Sequence, residues 1–267
     1  MNDRIYGASA AEMGWVPSPG YLLRRNRIIA IAKGLKRGHV LEIGCGAGAL
    51  LNDLAQMGYA CTALETSTEA TNIARYINRE NESVQVQDTP GDGWQNQFDY
   101  VFAFEVLEHI EDDQAALNQW REWLKPGGQV MISVPAHQKR WNASDVWAGH
   151  VRRYEKKQLI DLFTAGGFSI EHFECYGFPL ANIIEPIRAR YHARQLSGEM
   201  HSSSSTEMNQ QTRTARSGIK RSLEGRLYPL LKSPPGRLAM KGCFSLQSLF
   251  SSTDMGTGFL LLAQNKA

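Results

Sequence analysis

Apolar residues recur at every second position, or stand in short unbroken runs, in seven stretches: 40–43, 59–65, 83–88, 97–104, 124–134, 168–175 and 256–264. Runs of this length predict β-strands, and the unbroken ones suit strands covered on both faces. Between them the spacing becomes helical. Residues 49–55, Ala-Leu-Leu-Asn-Asp-Leu-Ala, resume at that spacing directly after the first strand. Residues 155–166 predict a helix closed by Gly166 and Gly167, and residues 21–33 an amphipathic helix behind Pro17 and Pro19. Strand and helix alternate from 39 to about 176, which predicts an α/β fold with a Rossmann-like, doubly wound sheet.

Chemistry enters at the end of the first strand, where Gly44, Gly46 and Gly48 occupy every second position. Residues without Cβ take φ > 0 without strain and let backbone approach a ligand. In an open α/β sheet the turn between strand and helix is where a nucleotide-like ligand docks. A dinucleotide site would carry Gly-x-Gly-x-x-Gly, and this chain has the tighter Gly-x-Gly-x-Gly. An acid, Glu42, precedes the glycines by two residues. Two further strands end in acids: Glu65, about twenty residues on, and Asp88.

These residues resemble motif I and the following strand ends of class I S-adenosylmethionine (SAM)-dependent methyltransferases. Two more segments fit the same family: Phe-Glu-Val-Leu-Glu-His-Ile at 104–110 resembles its "VLEH" motif, and Leu-Lys-Pro-Gly-Gly at 124–128 its "LKPGG" turn. The resemblance implies SAM as cofactor and a seven-stranded sheet whose last strand, 256–264, is antiparallel. It also implies roles. Gly44, Gly46 and Gly48 would admit the methionine part and Glu42 its ammonium. Glu65 would take the ribose and Asp88 the adenine edge, while Phe104 and Glu105 would face the methyl group.

Two histidines are candidate bases. His109 ends the "LEH" segment, and His150 begins His-Val-Arg-Arg-Tyr, similar to a "GHxRRY" segment of bacterial small-molecule and cell-envelope methyltransferases. Within it His150 and Tyr154 are the candidates for orienting and deprotonating an acceptor; a structural role, capping the next helix, remains open for Arg152 and Tyr154. Glu105, Glu108 and His109 stand at i, i+3 and i+4, and so share one face of a helical turn. They resemble the metal-binding E-x-x-E-H of ubiquinone-pathway and small-RNA methyltransferases, with His137 or His150 as a further ligand. The plain motif without metal is the reading adopted.

Composition sets the frame. At 267 residues and 42% hydrophobic, the chain suffices for one α/β core with material to spare. It has no run of eighteen apolar residues and its start lacks a signal-like apolar stretch, so a cytoplasmic protein is expected. Four cysteines without a CxxC pair read as reduced, packed thiols. The net charge of +2 is unevenly placed: residues 186–242 hold eleven Lys/Arg against three Asp/Glu. The expected organisation is a helical cap (1–38), the SAM-binding core (39–176), a basic helical insertion (177–255) with helices near 178–194 and 219–231, and the last strand (256–267). Residues 195–218, rich in Ser, Thr and Gln, are expected to form a mobile loop.

The implied activity is methyl transfer to oxygen or nitrogen of a small-molecule or lipid-linked acceptor. The basic insertion suits an anionic lipid or carrier, with peripheral membrane contact. Two alternatives share the same cofactor residues: a SAM-using enzyme that does not methylate, and an RNA methyltransferase. No aromatic–basic motif of a nucleic-acid module accompanies the second.

Overall fold

The computed structural model describes residues 3–201, 213–214 and 222–266. Its core is one sheet of seven strands: β1 (His39–Ile43), β2 (Ala60–Leu64), β3 (Val84–Gln87), β4 (Phe98–Phe104), β5 (Leu124–Pro135), β6 (Phe168–Tyr176) and β7 (Gly258–Asn265). They lie in the order β3-β2-β1-β4-β5-β7-β6. Strands β1 to β5 pair in parallel, and β7 runs antiparallel to both β5 and β6. This is the expected seven-stranded sheet with its antiparallel last strand.

The period of two sorts side chains onto the two faces. Leu41, Ile43, Val101, Ala103, Val130 and Ile132 enter one apolar cluster. Their neighbours Val40, Tyr100, Phe102, Phe104 and Met131 enter the other. Helices α2 (Ala49–Gln56), α3 (Thr68–Asn78), α4 (Asp113–Trp123), α5 (Ala143–Ala148) and α6 (Lys156–Ala165) connect the first six strands. The strand order reverses between β1 and β4, so the connections leaving their carboxyl ends diverge and open a crevice.

Helix α1 (Pro19–Ala32) precedes the sheet. It starts where the sequence indicates: Pro19 stands at its first turn and the Ser18 hydroxyl accepts from the Tyr21 amide. Arg25 of α1 is buried and makes a two-point ion pair with Asp53 of α2, both contacts 2.6 Å, which pins the cap to the core.

Helices α7 (Leu180–His201), α8 (Ser222–Lys232) and α9 (Pro234–Phe250) lie among the described residues of the connection between β6 and β7. The first two match expectation in place but not in extent, and α9 was not anticipated. Helix α7 runs through Pro186 to His201, so residues 195–201 are helical rather than part of a loop. The rest of the expected loop lies outside the described residues, apart from Arg213 and Thr214. All four cysteines are free thiols. No helix among the described residues is long and apolar enough to cross a membrane.

Candidate active site

A cavity of about 1190 Å³ fills the crevice between the ends of β1 and β4 and continues beneath α1 and α7. That exceeds the roughly 300–1,000 Å³ of ordinary ligand pockets, so two ligands can share it.

At one end lies the turn after β1. Gly44, Gly46 and Gly48 all have positive φ, of 66°, 54° and 69°. They serve different ends. A Cβ on Gly44 would lie 2.6 Å from Val106, and one on Gly48 2.8 Å from Ala74, whereas a Cβ on Gly46 would meet nothing within 4 Å. Gly46 therefore faces open cavity, while Gly48 is a packing glycine that does not line it. The Gly46 amide donates to Glu65 (2.8 Å), and the other Glu65 oxygen accepts from the Ser67 amide (2.9 Å). The turn and the acid after β2 are thus locked together. Burial raises the Glu65 carboxyl above its ordinary range, and these amide bonds oppose the rise.

Glu42 is 4% exposed, and one of its carboxylate oxygens has no hydrogen-bond partner. Burial pushes its carboxyl up to about 8. A buried carboxylate with an orphaned oxygen at a cavity wall is poised for a cationic ligand. Asp88 stands apart: it follows β3, is exposed, and is not among the residues lining the cavity.

The opposite wall begins at the end of β4. Phe104 and Glu105 both line the cavity, and Glu105 has φ of 57°. A left-handed glutamate is strained backbone, found where the surroundings over-determine it. Here the Ser133 and Tyr176 hydroxyls each donate to Glu105 at 2.9 Å, and Arg24 of α1 lies 3.6 Å away. Burial alone would raise the Glu105 carboxyl, but the Arg24 charge and the two hydroxyls hold it below its ordinary range.

Beyond it the chain gathers Glu108, His109 and His150, with ligand atoms within 4.8 Å of one another. The histidine rings meet edge to face at 4.8 Å. Glu108 is fully buried with no hydrogen-bond partner for either carboxylate oxygen. Burial, and then the Glu105 charge, push its carboxyl well up. Burial pushes the His109 imidazole down to about 4, with Thr214 and the Gly149 carbonyl at its Nδ1. His137 instead faces the Asp254 carbonyl and Glu155 and does not line the cavity.

His150 is held by a residue that sequence reasoning missed. Its Nδ1 lies 2.9 Å from Asp145 Oδ1. Asp145 also accepts both arms of buried Arg153 at 2.8 Å and the Asn142 amide at 2.8 Å. Burial would raise Asp145, yet the bonds from His150 and Arg153 bring it down to about 2. An ionised Asp145 fixes the proton on Nδ1 and leaves Nε2, which lies 3.9 Å from Glu108, as the basic nitrogen. The one signal was the capping box of α5, in which Asp145 pairs with Asn142.

Tyr154 is not brought together with the two histidines at the cavity. It is wholly buried, its hydroxyl donates to Asp113 (2.9 Å), and it does not line the cavity. With Arg152, which pairs with the same carboxylate at 2.6 Å, it fastens the start of α4.

A family model described as a methyltransferase domain matches residues 20–172. The chain belongs to the class I SAM-dependent methyltransferase family. Similar relatives include the ubiquinone biosynthesis O-methyltransferases of Photorhabdus laumondii, 30% identical, and Klebsiella pneumoniae, 32% identical; each match covers 52% of this chain and 60% of the relative. The match therefore spans under two thirds of the length of these relatives. Among solved structures, the fold is shared with SAM-bound phosphoethanolamine N-methyltransferase 2 of Haemonchus contortus (TM-score 0.53, 17% identity, 91% of this chain and 53% of that one). It is also shared with the cyclase SpnF (TM-score 0.54, 19% identity, 99% and 88%). As a methyltransferase of this family the chain uses SAM. The open face of Gly46, the Glu65 carboxylate and the orphaned oxygen of Glu42 fit that cofactor.

Proposed function

We propose that this methyltransferase transfers the methyl group of SAM to a hydroxyl of a small-molecule acceptor. One observation carries the reading: a single cavity joins the Gly46–Glu65 turn to the His150–Asp145 pair. Gly44 and Gly46 would let the methionine part approach, Glu42 and Arg24 would meet its charged ends, and Glu65 the ribose. Phe104 and Glu105 would border the reacting end. SAM supplies the activated methyl carbon when bound. The protein's part is to hold the acceptor in line, keep water out, and take the hydroxyl proton at His150 Nε2. The likeness to ubiquinone-pathway O-methyltransferases supports oxygen as the receiving atom.

The test is incubation with methyl-labelled SAM and a panel of hydroxylated acceptors, following products by mass spectrometry. A labelled ether together with S-adenosylhomocysteine supports the reading; methylthioadenosine as the sole cofactor product would favour displacement within the cofactor. His150→Ala is expected to keep S-adenosylhomocysteine affinity while turnover falls about a hundred-fold. Full turnover in that variant would remove His150 from the proton path.

The orphaned Glu108 carboxylate favours a second reading of the same chemistry. Glu108, His109 and His150 would hold a divalent cation, which would acidify the acceptor hydroxyl. Loss of activity on chelation, restored by added Mg²⁺, distinguishes it from the metal-free form.

A further inference from the structure

The cationic side chains lining the cavity are paired within the protein, with one exception among the described residues. Arg24 faces Glu105, Arg25 is clamped by Asp53, and Arg153 by Asp145 and Glu185. Arg188 of α7 also lines the cavity and is partly buried, yet no described group accepts a hydrogen bond from it or pairs with its charge. The acid nearest to it along its own helix, Glu185, is already taken by Arg140 at 2.5 Å and Arg153 at 2.8 Å. The first turn of α1 adds to the positive potential. Arg188 Nη1 lies 4.0 Å from where a Cβ on Gly20 would stand, beside the positive end of the α1 dipole.

From this we infer an anion subsite: the methyl acceptor carries an oxyanion, a carboxylate or a phosphate, that Arg188 binds. The inference rests on the proposed methyl transfer and names the acceptor class. A guanidinium presents parallel N–H donors that match a carboxylate or phosphate edge, and it does so best where water is partly excluded. Ala181, Ile184, Glu185 and Arg188 line the cavity from one face of α7, at i, i+3, i+4 and i+7, with the Glu185 charge already met by Arg140 and Arg153. With Glu185 neutralised, the insertion supplies two apolar positions and then an unpaired cation, which suits an amphiphilic acid more than a neutral phenol. The glycine turn, Glu42 and Glu65 belong to other elements, so this wall is free to serve the acceptor.

The experiment uses the full chain in phosphate-free buffer of constant ionic strength. S-adenosylhomocysteine affinity is measured first by calorimetry; absence of binding would refute the proposed methyltransferase reading itself. The saturated protein is then titrated with phenol, 4-hydroxybenzoate and phenyl phosphate. The expected result is that at least one oxyanion probe binds about ten-fold tighter than phenol, the size of one charged hydrogen-bonded contact. Which of the two binds tighter tells carboxylate from phosphate. In Arg188→Gln the preference should vanish with S-adenosylhomocysteine affinity unchanged, and Arg188→Lys should keep part of it. Equal affinity for all three probes, no binding of either oxyanion, or a preference retained in Arg188→Gln would each overturn the subsite. So would lost S-adenosylhomocysteine affinity in Arg188→Gln, which would assign the guanidinium to the cofactor.

Discussion

Gly44, Gly46 and Gly48 look equivalent in the sequence, and only the surroundings of each separate their duties. Gly46→Val directs its methyl groups into the cavity and strains a φ of 54°, so calorimetry should find no S-adenosylhomocysteine binding, alongside a loss of stability from the backbone alone. Gly48→Ala instead presses on Ala74 and Asn78 and strains a φ of 69°, and it should lower stability by about 2 kcal/mol in urea unfolding. Unaltered affinity in the first, or unaltered stability in the second, would contradict this division. Glu42 makes a further test possible. With its carboxyl raised to about 8 by burial, it is protonated at pH 7 and must ionise to pair with a ligand ammonium. S-adenosylhomocysteine binding at pH 7 should therefore release a proton, seen as a buffer-dependent calorimetric enthalpy, and affinity should rise as pH approaches 8. Binding enthalpies that do not vary with buffer would show that Glu42 stays neutral. The strand-end acids were legible because each closes an apolar run. Arg24 and Asp145 were not, since their partners, Glu105 and Arg153, come from distant positions in the chain or from another turn of the same loop.

Between β5 and α6, the segment of residues 136–155 shows how adjacent residues divide their work. His150 and Arg153 turn toward Asp145, while Arg152 and Tyr154 turn toward Asp113 of α4. The sequence places all four within five positions and carries no sign of which way each points. Tyr154→Phe should accordingly leave the turnover number unchanged and cost about 1 kcal/mol of stability, read from urea midpoints. A large fall in turnover would restore Tyr154 to the site. Asp145 has the opposite profile. Its carboxyl at about 2 lies below the unfolded value of 3.8, so its ionisation stabilises the fold above pH 3.8. That contribution, on the order of 2 kcal/mol, is lost as pH falls through about 2. Asp145→Asn should flatten stability against pH between 4 and 2, and an unchanged acid limb would refute the ion-pair network.

The whole molecule joins a legible half and an illegible one. Strands and the glycine turn follow from periodicity and strand-end chemistry, which are local properties of the chain. The antiparallel last strand is what the family resemblance implies, and the strand order is visible only in the fold. The 177–255 connection has no such repeat: α7 mixes Pro186, three arginines and exposed Ile183 and Ile187, and its inner face is decided by contact with α5 and α1. Its basic balance, with Leu230, Leu238 and Leu249 also exposed, makes the contact with an anionic bilayer expected from the sequence open to a direct test. Sedimentation should recover the protein with phosphatidylglycerol vesicles at low salt and release it at 0.5 M NaCl, while phosphatidylcholine vesicles leave it in solution. Equal recovery with both would count against the electrostatic part. Glu185 ties this half to the chemistry, standing between Arg140 and Arg153. Excising the helical segment would strand Arg153 in the interior with only Asp145 to balance it, and would do so beside His150. The appendage is consequently not detachable: a shortened chain should keep its sheet and lose the base, so exchanging acceptor preference between relatives by swapping this segment must carry Arg140 and Arg153 along with it.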